Sequence, residues 1–145
     1  MSRWANIALL STISVLLLMM LTIDYEYLSD KNSFLKSFVG TEMLGFFGVI
    51  LTIAVGFLGQ LYFSLDKLHS RLSRVETSAL RKEIASTAWW LCVLYFSSLL
   101  LAFVKSFFAP ESLGSAIINS LSLVVVAWFF LIFFDVVLSL FSFDT

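Results

Sequence analysis

Side chains that ionise, attack or ligate are scarce in this chain. His69 is the only histidine and Cys92 the only cysteine. One histidine excludes a His-based metal cluster. A lone Cys in an apolar run forms no disulfide within the chain and reads as a small hydrophobe. The sequence holds no HExxH, no Ser–His or Cys–His dyad and no phosphate-cradling glycine loop. No catalytic residue, cofactor or metal is expected, so an enzyme is not the expected reading.

Asp135 is the one ionisable residue set inside a long apolar run, between FFLIFF and VVLSLF. Inside a leaflet a carboxylate costs about 2–3 kcal/mol or more unless it is paired. Two readings stand. Asp135 serves an ion or proton path, or it is structural and paired with Arg81, Lys82 or Arg3. If the last helix runs on to Phe141, Asp135 lies inside the membrane. If that helix stops at Asp135, the carboxylate lies at headgroup level.

The most specific pattern is a stripe of small residues. Thr41, Gly45, Gly48, Thr52, Gly56 and Gly59 are spaced 4, 3, 4, 4, 3, and Gln60 lies at the stripe's edge. At 100° per residue they share one helix face. Lipid tails are as apolar as Leu, so membrane helices associate where small residues let backbones approach. Each glycine costs up to about 1 kcal/mol of helix stability against Ala in water. The stripe therefore makes sense against a close neighbour: another helix of the same chain, another copy of the chain, or a pore. A weaker stripe of Ala88, Cys92, Tyr95, Ser98, Ala102 and Ser106 could face it from the third helix.

These groups are positioned by elements that the composition identifies. The chain has 145 residues, 60% hydrophobic and only 13% charged, with 16 Phe; its mean hydropathy is +0.99. About a third of a soluble domain's surface would remain exposed at this size, so a water-soluble fold is excluded. A net charge of −1 argues against binding nucleic acid. Four apolar stretches can each cross a bilayer as a helix: 4–23, 43–65, 86–104 and 116–134 or to 141. The fold expected is all-α, a single integral membrane four-helix bundle.

Arg3, Lys67, Arg71, Arg74, Arg81 and Lys82 fall on one side, and Lys31, Lys36 and Lys105 on the other. By the positive-inside rule both termini and the central loop are cytoplasmic. Leu61, Leu65, Leu68, Leu72, Val75 and Ala79 form a heptad seam. The seam predicts a second helix projecting about ten residues past the lipid, with a return arm starting near Ser78, as a hairpin over 66–85. Its basic residues Lys67, Arg71, Arg74, Arg81 and Lys82 suit a protein partner or anionic headgroups. Between the first two spans, Phe34, Leu35 and Phe38 share a helical face behind the candidate caps Ser29 and Asp30. That pattern reads as a short interfacial helix or as an outward extension of the second helix.

The chain thus runs from a short start through one helix and an acidic loop to the glycine-rich GTEMLGFFGVILTIAVGFLGQLYF. The basic KLHSRLSRVETSALRK, a helix with AWW and a fourth helix follow. In topology, loop charge and length the whole chain resembles small bacterial four-span proteins of phage-defence and prophage-exclusion loci. These include the membrane subunit of the Kiwa system and the membrane component of the lambda Rex exclusion system. The Kiwa resemblance implies a homo-oligomer that docks a soluble protein on its cytoplasmic side. The Rex resemblance implies an ion-conducting or depolarising role. The expectation is a non-catalytic inner-membrane subunit that assembles with itself, contacts lipid and recruits a cytosolic effector. An ion channel is the alternative, and a proton-coupled transporter the third choice.

Overall fold

The computed structural model describes residues 3–68 and 74–141. The described residues are almost wholly helical and contain no strand. Helix α1 spans Arg3–Ile23, α2 Ser33–Ser37, α3 Met43–Leu68, α4 Arg74–Lys105 and α5 Leu113–Phe141. Four of them are long and apolar enough to cross a membrane, which makes this a multi-pass membrane protein. The spans expected second, third and fourth are α3, α4 and α5.

Neighbour contacts place the helices in the order α1, α5, α4, α3. One end of the bundle carries the 24–42 and 106–112 connections and is called here the loop end. The other carries the start of α1, the end of α3, the start of α4 and the end of α5, and is called here the hairpin end. The main core joins Met43, Phe47, Ala54 and Leu58 of α3 to Leu91 and Leu94 of α4 and Phe129 of α5. Phe47 stacks on Phe129 with ring centroids 4.3 Å apart, so α3 also reaches α5. A second cluster, Leu28, Leu35, Val39 and Ala116, seals the loop end against Leu17 and Leu21 of α1. Helix α1 has no fully buried residue among those described. It offers α5 one half-buried face: Asn6, Leu10, Ile13, Ser14, Leu17 and Leu21.

Several local expectations are corrected. The α2 cap is Asn32, whose side chain accepts from Phe34 N at 3.0 Å. Ser29 instead closes a one-turn helix, Tyr25–Leu28, that is capped by Asp24. Phe34 is exposed and stacks on Phe38, whereas Leu35 and Val39 point into the core. Between α2 and α3 the helical path breaks, with ψ of 79° at Val39 and extended backbone at Gly40. The segment thus forms a short helix of its own, α2, that the break at Val39 and Gly40 sets off from α3, rather than a straight extension of it.

The heptad seam does not run along one helix. The Arg81 guanidinium lies over the Tyr62 ring, 5.3 Å from its centroid. That contact requires the chain to reverse near its midpoint, so Val75 and Ala79 belong to α4 rather than to a prolonged α3. Along α4 the buried positions are Thr77, Leu91, Leu94 and Ser98, with Ala88 and Tyr95 packed against the core. The expected small face of this helix is thus only partly the buried one.

Candidate functional site

Three places hold the chain's polar and small residues. The first is the loop end. Asp30 follows the Tyr25–Leu28 turn, and its backbone N–H donates to Pro110 O at 2.9 Å, tying the two connections together. Lys105 closes α4 and reaches across to Asp30, with Nζ 2.8 Å from Oδ1; the two side chains are only 10% and 11% exposed. Lys105 Nζ also donates to Val39 O at 3.0 Å and to Leu35 O at 3.3 Å. An ammonium has three N–H donors, and three acceptors meet it. Because the helix breaks at Val39 and Gly40, the Val39 carbonyl is free for this contact.

Asn119, fully buried on α5, completes the cluster. Its Nδ2 donates to Leu28 O at 2.8 Å and to Asp30 Oδ1 at 3.0 Å. Both partners accept only, so the amide cannot be turned round. That leaves Asn119 Oδ1 buried without a partner. Ser115 Oγ donates to Pro110 O at 2.7 Å and steadies the same corner. Outside the cluster, exposed Lys31 pairs with Glu26 at 2.5 Å. This hydrogen bond, with the carboxylate's charge, holds the Lys31 ammonium above its usual pKa.

The second place is the small-residue stripe. On α3 the buried positions are Met43, Phe47, Ala54, Leu58 and Leu65. At 100° per residue the stripe lies roughly 150° around the helix from them. Thr41, Gly45, Thr52, Gly56 and Gln60 are exposed, and Gly48 and Gly59 half-buried. A Cβ added at Gly45, Gly56 or Gly59 would meet nothing within 4 Å, and one at Gly48 would only touch the Tyr95 hydroxyl at 3.8 Å. The Thr52 hydroxyl bonds back to Gly48 O at 2.8 Å, the usual habit of Ser and Thr in membrane helices. Packing within one chain therefore does not account for the glycines.

The third place is the hairpin end. Helix α5 continues to Phe141, so Asp135 sits inside a helix rather than at its end. Its Oδ2 accepts from Asn6 Nδ2 at 2.6 Å. This bond links α1 to α5 through a neutral partner. Of the expected basic residues, Lys82 is exposed and Arg81 half-buried. Arg71 and the side chains of Lys67 and Arg74 lie outside the described residues.

The spacing of the stripe was readable in the sequence, but the loop-end cluster was missed. The available signal was a pair of opposite charges, Asp30 and Lys105, on the same side of two adjacent spans, with Asn119 in the apolar start of a third. Comparison with known protein families, characterised proteins and solved structures returns no match.

Proposed function

We propose that this protein is a non-catalytic subunit of the bacterial inner membrane that assembles with copies of itself through α3. In this reading its basic hairpin end faces the cytoplasm and recruits a cytosolic effector in anti-phage defence. The observation that supports assembly is the direction of the glycine face, turned away from its own core and left open. Four glycines on a lipid-facing surface weaken the helix and return nothing, whereas against a second copy they allow close backbone contact.

The test separates the copy from the chain. Gly56→Ala has room in the single chain and raises helix propensity by up to about 1 kcal/mol. Gly45→Leu and Gly56→Leu together would block a neighbouring backbone. Native mass in mild detergent should show an oligomer for the natural chain and monomers for the double Leu variant, with unchanged helix content. A monomeric natural chain, or unaltered assembly of the variant, would sink the proposal. Exposed Thr52 and Gln60 on the same face favour a second reading, an oligomeric channel whose path they line. Ion leak through vesicles containing the purified protein is its signature.

A further inference from the structure

The loop-end cluster has the chemistry of a cation site. Its acceptors are two main-chain carbonyls, Leu35 O and Val39 O, and the Asp30 carboxylate. Carbonyls released by an unwound membrane helix, combined with a carboxylate, are donors suited to a monovalent cation in a medium that excludes water. Here the helix is broken at Val39 and Gly40. The ion that fills the cage belongs to the chain itself, arriving on the Lys105 side chain. The cage also joins separate pieces of the molecule. Leu35 and Val39 lie on the 24–42 segment and Lys105 on α4, while Asp30 is tied to Asn119 of α5. Leu35 O also accepts from the Phe38 backbone N–H, so emptying the cage would leave the Asp30 carboxylate buried without its charge partner and the Val39 carbonyl without this donor, which a folded protein does not tolerate cheaply.

We propose that the loop end is a monovalent-cation site, formed by Leu35 O, Val39 O and Asp30. The Lys105 ammonium is its resident ion, and its occupancy latches segment 24–42 over the bundle. The site selects small cations that carry N–H donors. Without the lysine stem it accepts a free primary alkylammonium ion of matching length. This inference is independent of how copies assemble or what the hairpin end recruits.

The experiment empties the site and refills it. In a Cys92→Ala background, Ser29→Cys places a nearly isosteric thiol at a fully buried position of the latched segment. Ser33→Cys is the exposed control. Maleimide labelling is followed in detergent micelles. Lys105→Ala should speed labelling at position 29 by at least about tenfold, the signature of local opening, and leave position 33 unchanged. Propylammonium, which replaces the missing atoms of the stem with their charge, should slow position 29 back toward the starting rate. Propanol, of the same shape without charge, should not. An unchanged rate in Lys105→Ala overturns the latch. A raised rate that propylammonium does not lower, or that propanol lowers equally, overturns the cation site. If Lys105→Ala does not fold unaided, the folded fraction recovered with propylammonium against propanol becomes the readout, and equal recovery overturns the site.

Discussion

The two ends of the bundle use similar residues in different ways. Each joins a carboxylate to an asparagine amide: Asp30 to Asn119 at the loop end and Asp135 to Asn6 at the hairpin end. At the loop end the carboxylate also holds a nearly buried ammonium, and backbone carbonyls from the broken helix complete that ion's shell. At the hairpin end the Asp135–Asn6 bond joins α5 to α1, and Arg81 of α4 lies over the Tyr62 ring of α3. The difference shows how the same polar vocabulary makes a multi-element clasp where an irregular backbone supplies acceptors. Where both partners lie on intact helices, the bond ties one helix to another.

The sharpest way to break this contrast is Asp30→Ala. It leaves the Lys105 ammonium buried without its counter-charge, and removing one partner of a buried pair costs about 3–5 kcal/mol. Unfolding by SDS in mixed micelles should register a loss of that size, and a loss below about 1 kcal/mol, the scale of an exposed pair, would mean that the clasp is not under strong load. Asn6→Ala comes next. Hydrogen bonds between membrane helices are worth roughly 0.6 kcal/mol on average and up to about 1.7. The same titration should therefore show a small loss, with loosening confined to α1 and visible as faster hydrogen exchange there. A cost matching Asp30→Ala would erase the distinction between the ends. Lys31→Ala sits at the bottom of the series. Its ion pair with Glu26 lies in the open, where such pairs contribute little, and the unfolding midpoint should not move.

How much of this was visible in the residues follows from which atoms do the work. The four spans were readable because lipid imposes length and apolarity on a spanning helix. Asp135 was readable as a carboxylate in the wrong solvent, although its Asn6 partner, 129 positions away, was not. The stripe on α3 could be seen as a stripe, but periodicity alone does not tell which side of a helix meets the core. The core side became clear only with Phe47 stacked on Phe129. Two of the three Lys105 acceptors are main-chain carbonyls, which every residue has, so they leave no mark in the sequence. The break that frees one of them falls in a stretch, FVGTEML, whose composition suits an unbroken helix. The seam from Leu61 to Ala79 misled because a reversal between antiparallel arms can preserve a heptad count.

The order α1, α5, α4, α3 also bears on how the molecule is made. The ribosome delivers α1 well before its main partner α5, with α3 and α4 between them, so α1 enters the bilayer before the helix it packs on exists. Twenty uncharged residues from Trp4 to Ile23 let it wait there alone. The Asn6 bond to Asp135 spans 129 positions, so it can be tied only after α3 and α4 have been made.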